Sequence, residues 1–417
     1  MMNDKLTIQK TVLDCGLTVI SEHIPFFPSF ALSYTLRSGS RAETKENNGI
    51  HHLIEHMLFK GTEKYDLKKI ADISDRLGGK LNAFTSKETT QFYIKAIDEH
   101  FKESFDLLTG MVIHSTFPAD EFIKEKNVAV QEIHEADDNP DTNAFETFYE
   151  GVFAGNGLGY PVGGKVESVS SFERDMVYSF YRKNYTPDNM ILTAVGKVNH
   201  QELVEEAEKA FKHFPSRKPK DFTFTKPSLH HQFFHKKNRS LKQVYVIIGF
   251  TGLPVVSHDR YRFMLVNDIL GSGMSSRLYQ KIREEKGLSY TVSSFSDAYL
   301  DCGAHLTYSI VEPKKVEEYC GAVKDEITHL QEDGITEEEL LRARDSIKSF
   351  MVLGLESRVS RMRFIVNNEL YLKRQIALEE IIDDVNTAGI EDVHGLFRGC
   401  LDLNEMSIFL YGDVRRK

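Results

Sequence analysis

The sequence predicts an α+β protein built as two similar halves, each a mainly antiparallel sheet packed with helices in a sandwich-like arrangement. Three observations predict it. Segments alternating apolar and polar residues, the mark of a strand with one buried face, are interleaved with segments of helical period. At 417 residues the chain is too long for a single core. The second half also repeats the plan of the first. Met190-Ile191-Leu192-Thr193-Ala194-Val195-Gly196 corresponds to Met406-Ser407-Ile408-Phe409-Leu410-Tyr411-Gly412, and Val244–Phe250 answers Phe30–Leu36.

In chain order, Leu17–Ile20 and Phe30–Leu36 read as strands, the second closed by Ser38-Gly39-Ser40. A helix follows from His52 and ends at Gly61, with Leu53, Ile54, Met57, Leu58 and Phe59 as its apolar face. A second helix covers about Leu67 to Leu77 and stops at Gly78-Gly79. Lys80–Ser86 and Thr89–Ile94 read as strands, and 99–114 as an amphipathic helix. Pro118-Ala119-Asp120 opens a long helix expected to turn Phe122, Ile123, Val128 and Ile133 inward. The glycines and prolines from Asp137 to Pro161 read as a loop, then a helix from about Glu173 to Asn184 and a strand at Met190–Val195 finish the first half.

Pro215, Pro219, Pro227 and a density of lysine mark a linker. The expected domains are therefore 1–212, a linker at 213–242, and 243–417. Within the linker, His230, His231 and His235 have no adjacent carboxylate or cysteine and read as a polar strand entrance. In the second half, Thr336 followed by Glu339 is a capping box, opening a helix that answers the long one of the first half. In that register Phe350 answers Glu132 and Ala343 answers Glu125.

Composition narrows the function classes. A formal net charge of -10 argues against nucleic acid and for tolerance of basic partners. No apolar run approaches a membrane span, and the N-terminal segment does not read as a secretory signal. Cys15, Cys302, Cys320 and Cys400 are far apart with no C-x-x-C pair, which predicts a reducing, cytoplasmic setting and no cysteine metal site.

The chemistry is concentrated in His52-Leu53-Ile54-Glu55-His56. On a helix, His52 and His56 stand one turn apart on one face and can reach the same metal ion. Glu55 lies beside them. Two imidazoles, an adjacent carboxylate and an open coordination position are what metal-assisted hydrolysis needs. The order is the inverted form of the commoner zinc-peptidase helix. Such a site requires a third ligand. Glu125 and Glu132, two turns apart on one face of the long helix, offer one carboxylate to complete it and one to orient it. The second half has no such motif, so only the first half is expected to hold metal.

Gly39-Ser40-Arg41-Ala42-Glu43, the His52–Thr62 segment, Asn82-Ala83-Phe84-Thr85 and Glu132-Ile133, taken in order, resemble the inverted-motif zinc peptidases of the pitrilysin and mitochondrial-processing-peptidase type. The resemblance covers essentially the whole chain and is to the short, two-domain bacterial members. It implies that Glu132 is the third zinc ligand, that Glu125 supports the site from outside, and that Glu55 is the general base. It implies one Zn2+ per chain. Gly273–Leu278 and Ile282–Tyr290 resemble the family's second-half signature, which implies that Arg283 and Tyr290 reach substrate near the zinc; an Arg and a phenol suit a developing oxyanion. His51, where the family often has a small residue, is a departure, but only His52 has a histidine four residues on.

The resemblance further implies a clamshell whose chamber takes four such domains. A two-domain chain then needs a partner: itself as a homodimer, or a metal-free relative in a heterodimer. The expected activity is zinc-dependent endopeptidase cleavage of peptides or unfolded precursor segments, with basic peptides favoured by the acidic balance. Asn82, Ala83, Phe84 and Thr85 are expected to pair with the substrate backbone by strand addition. The competing reading is a non-catalytic subunit of a peptidase-like assembly. Such subunits typically lose metal ligands or the base, and here His52, Glu55, His56 and Glu132 are all present.

Overall fold

The computed structural model describes residues 8–415. Its strands are β1 Ile8–Val12, β2 Thr18–His23, β3 Ser29–Leu36, β4 Lys80–Thr85, β5 Thr90–Ile97, β6 Met190–Gly196, β7 Phe233–Lys236, β8 Val244–Gly252, β9 Val292–Ala298, β10 Gly303–Val311 and β11 Ser407–Tyr411. The helices that bear on function are α1 Ile50–Met57, α2 Phe101–Ile113, α3 Ala119–Asp138, α4 Pro140–Val152, α5 Arg262–Asn267, α6 Glu337–Gly354 and α7 Arg358–Asn367. The expected mixture of two sheets packed with helices is what the structure has.

The chain divides into two compact units. The first runs up to Glu135 and adds Tyr160–Thr223 and Gly354–Gln375. Its six-stranded sheet has the order β1-β2-β6-β3-β5-β4 and is antiparallel except where β2 meets β6. Alternation sorts each strand between two faces. Phe30, Leu32, Tyr34, Leu36, Phe92, Ile94, Met190 and Leu192 join Leu53, Ile54 and Met57 of α1 and Leu107, Leu108 and Met111 of α2 in one apolar core. The opposite face carries buried Ser33, Thr35, Gln91 and Thr193, and α7 packs against β3 and β6. Glu22, with 1% of its side chain exposed, is met by both Nε and Nη2 of Arg361 on α7. Buried Glu88 accepts from Arg41 at 2.5 Å and from the Tyr371 hydroxyl at 2.8 Å.

The second unit comprises Ala136–Gly159, Phe224–Leu353 and the chain from Ile376 onward. Its sheet order is β7-β11-β8-β10-β9, with β7 parallel to β11. On one face Val244, Val246, Ile248 and Phe250 pack with Val266, Ile269, Leu270, Leu340, Ala343 and Ile347. On the other, Ile247, Leu306 and Phe409 receive Ala144, Phe148 and Val152 of α4. A Cβ on Gly249 of β8 would stand 2.4 Å from the Phe148 ring, so glycine there admits the helix. Each sheet therefore has one face closed by a helix from the other half of the sequence, and the compact units do not follow the contiguous halves 1–212 and 243–417. The segment 213–242 is also more than a connection, because β7 lies in it and His235 Nε2 bonds the Gly412 carbonyl at 2.8 Å.

Three local expectations are corrected. The stretch from Asp137 to Pro161 is not a loop throughout. Asn139 caps a helix by accepting from the amides of Asp141 and Thr142, with Pro140 in its first turn, and Ala144, Phe148 and Val152 form its buried stripe. On α3 the buried stripe is Phe122, Glu125 and Ala129. Ile123 and Val128, off that stripe, are 59% and 39% exposed. Finally, the motif helix ends at Met57, short of Gly61.

Candidate metal centre

α1 begins at Gly49, whose φ of 95° and close approach to the Gly163 carbonyl (2.7 Å from an added Cβ) both demand glycine. Its first turn is held by Glu43, which accepts from the amides of Gly49 (2.7 Å) and His51 (3.0 Å) and from the Asn48 side chain (2.8 Å). The same carboxylate bonds His51 Nδ1 at 2.8 Å, while Ser38 Oγ bonds its Nε2 at 2.9 Å. Both nitrogens of the fully buried His51 are thus engaged inside the fold, which settles which histidines face the site.

His52 and His56 project from the opposite side of α1 with ring centroids 4.7 Å apart. Glu132 of α3 approaches both: its Oε2 is 3.6 Å from His52 Nε2 and 3.4 Å from His56 Nε2. Among the described residues these three form the one group of His, Cys, Asp or Glu able to hold a metal ion. Donor atoms around a tetrahedral zinc at about 2.0–2.1 Å stand about 3.3–3.4 Å from one another, close to the two separations from Glu132. Burial pushes the His52 pKa down to about 4, with His56 adding to the effect, which keeps the ring neutral and its lone pair available. His52 Nδ1 is buried with no hydrogen-bond partner.

Glu125, one stripe along α3, bonds His56 Nδ1 at 3.1 Å and is itself held by Lys60 Nζ at 2.8 Å. A carboxylate on Nδ1 places the proton there and leaves Nε2 to face Glu132. Glu55 lies between the metal cluster and β4, and its Oε2 accepts from Thr85 Oγ1 at 2.6 Å. Burial raises its pKa and the Thr85 hydroxyl partly offsets this. β4 is an edge strand of the first sheet. Asn82, Ala83, Phe84 and Thr85 therefore have no strand neighbour on the side away from β5, next to Glu55, and the Ala83 amide donates to Asn82 Oδ1 at 2.9 Å.

Arg283 and Tyr290 lie in the second unit and are held together, the guanidinium 4.1 Å from the Tyr290 ring centroid and 4.8 Å from that of Tyr279. Tyr290 is 79% exposed. The second unit has a segment that corresponds to the metal-site helix. Phe263–Leu270 repeats the burial order of His51–Leu58 position by position. Met264, Asn267 and Asp268 thus take the places of His52, Glu55 and His56, and they line a cavity of about 380 Å³ together with Phe350, which answers Glu132. Sequence reasoning missed Glu43 and Lys60. Glu43 sat within a recognised motif without a role, and a lysine four residues past His56 carries no signal of its own.

A family model described as "Insulinase (Peptidase family M16)" matches residues 18–181, which include every residue of the cluster. A second, "Peptidase M16 inactive domain", matches residues 171–347, which include none of it. The chain is 36% identical over 392 residues to an uncharacterized zinc protease of Bacillus subtilis, YmxG, covering 94% of this chain and 95% of that one. It is 34% identical to an uncharacterized zinc protease of Rickettsia felis, covering 94% of each. Among solved structures, a protease from Helicobacter pylori superposes with a TM-score of 0.90 at 20% identity, covering 98% of this chain and 100% of that one. A Pseudomonas fluorescens protein titled as a peptidase M16 inactive domain gives the same score and identity, covering 98% of both. These two share the fold.

Proposed function

This chain belongs to the insulinase family, peptidase family M16, and on that premise we propose that it is a zinc-dependent endopeptidase acting on peptides or unfolded segments. The observation that carries the reading is the convergence of His52, His56 and Glu132 beside Glu55. His52, His56 and Glu132 hold the ion, and Glu125 fixes the His56 ring. A zinc bound there supplies an acidified water and a Lewis acid for the scissile carbonyl. Thr85 occupies Oε2 of Glu55, so the carboxylate takes the proton at Oε1 and returns it to the leaving amine. The open edge of β4 takes the substrate backbone as an added strand. Arg283 and Tyr290 are assigned to the oxyanion on the strength of the family resemblance and their mutual contact. Arg283→Ala and Tyr290→Phe should lower kcat with metal content unchanged.

The deciding experiment measures hydrolysis of a quenched fluorescent peptide and metal content on the same samples of wild type, Glu55→Gln and Glu132→Ala. Turnover with about one zinc per chain is expected, lost by about 10²–10⁴-fold in Glu55→Gln with the metal kept. Glu132→Ala should lose both. Full activity in Glu55→Gln would overturn the mechanism.

The working form is proposed to be a homodimer located in the cytoplasm. The four cysteines are free thiols, as a reducing compartment would keep them. No helix among the described residues is long and apolar enough to cross a membrane. A monomeric mass in light scattering with full activity would refute the dimer.

A further inference from the structure

The polar face of the first sheet carries a row of side chains running straight across three strands. Thr35 of β3 is paired with Gln91 of β5, and Gln91 with Phe84 of β4. The row is bonded: Gln91 Nε2 donates to Thr35 Oγ1 at 2.9 Å, and Arg363 of α7 donates from Nε to Gln91 Oε1 at 3.4 Å. The Arg363 guanidinium lies over Phe84, 4.3 Å from its ring centroid, and 5.9 Å from that of Tyr93. On the same helix, Arg361 is committed to Glu22. Arg363 is exposed and has no carboxylate partner among the described residues.

The next place in this row lies beyond β4, where the sheet is open. A peptide adding to that edge sets its backbone about 4.8 Å further out. The side chain it places opposite Phe84 has its Cβ about 4.5–5.5 Å from that of Phe84, within reach of the guanidinium above it. Alternation sends the residues on either side of that one to the opposite face, where Thr85 meets Glu55. The residue under Arg363 is therefore an immediate neighbour of the bond to be cut.

We propose that Arg363 selects substrates with an acidic side chain next to the scissile bond, at the position that stacks beside Phe84. This rests on the peptidase reading above. It reverses, at one position, the preference for basic peptides that the overall charge suggests, because a cation a few ångströms away outweighs a net charge screened beyond about 8–10 Å.

The test uses one peptide scaffold with Asp, Asn or Lys placed in turn at each position around the cleaved bond. Turnover is followed with wild type, and binding with Glu55→Gln by fluorescence anisotropy. At one position Asp should exceed Asn about fivefold or more in kcat/KM and in affinity, and Lys should be worst. Arg363→Gln should level the series and Arg363→Glu invert it. Turnover without a charge preference, or a preference unchanged by both substitutions, overturns the proposal and leaves the peptidase reading standing. A charge preference in binding that moves with Arg363, without any turnover, shows an acidic-peptide groove under Arg363 but refutes the peptidase reading and, with it, selection beside a cleaved bond. Neither turnover nor charge-dependent binding refutes both.

Discussion

His305 shows at the scale of one residue how burial becomes a property that can be measured. It is fully buried in β10, with Nδ1 bonded to Ser296 at 2.8 Å and Nε2 left without a partner. Burial lowers its pKa from the ordinary 6.5 to about 4. The unfolded chain thus binds a proton that the folded chain refuses, so stability is complete above about pH 6.5 and declines as pH falls toward 4. The loss from this one group should be ~2 kcal/mol by pH 5. Urea midpoints at pH 7 and pH 5 would show it, and His305→Asn should reduce the difference by that amount, His52 supplying a comparable loss of its own; an equal shift in the variant would refute the assignment. At the metal centre, Glu125→Ala should weaken zinc binding about 10–100-fold while Glu55 stays in place, measured by chelator competition. His52, Glu55 and His56 were legible because helical spacing alone aligns them. Glu43 and Lys60 were not, because their partners come together only when the chain folds.

Among the elements, α7 is tied to its sheet by an ion pair to a buried carboxylate. Arg361→Ala would strand Glu22 in the interior, at a cost of roughly 3 kcal/mol or more. Glu22→Gln combined with Arg361→Met should recover part of that loss, since it removes the buried charge along with its partner. Thermal melts of the single and double variants decide this; a double variant as unstable as Arg361→Ala would show that packing, not charge, fixes the helix. The strands Thr18–His23, Ser29–Leu36, Lys80–Thr85, Thr90–Ile97 and Met190–Gly196 and the helices Leu67–Arg76, Phe101–Ile113 and Arg174–Asn184 could be read from periodicity. The failures share a cause: the helix Pro140–Val152 was hidden by glycines and prolines on both sides, while its buried stripe points at a sheet encoded some hundred residues later. The exposure of Ile123 and Val128 likewise reflects which stripe of α3 the fold chose to cover, and the fold chose the stripe carrying Glu125.

For the whole molecule, the repeat between halves was visible in sequence, and the two sheets confirm the expected α+β architecture. The exchange of α4 and α7 was not visible, since a swap between similar halves leaves each local pattern unchanged. A fragment ending at residue 212 would retain β1–β6 and the metal cluster residues but lack the helix covering Ser33, Thr35 and Gln91. It should bind a hydrophobic dye and lack the near-ultraviolet circular dichroism of a packed unit; a well-packed fragment would show α7 to be dispensable.

The same exchange imposes a timetable on biosynthesis. The first sheet is complete at Gly196 and its cover begins at Arg358, so at roughly 5–20 residues per second the sheet is finished on the order of ten seconds before α7 is made. The surface left waiting is the one lined with serine, threonine and glutamine, which water can tolerate. The apolar stripe of α4 meets its first strand, β8, about a hundred residues later, but Phe409 of β11 completes its site only near the end of the chain. Both exchanged faces of the nascent chain thus stay uncovered until late in synthesis, one of them wettable and the other apolar.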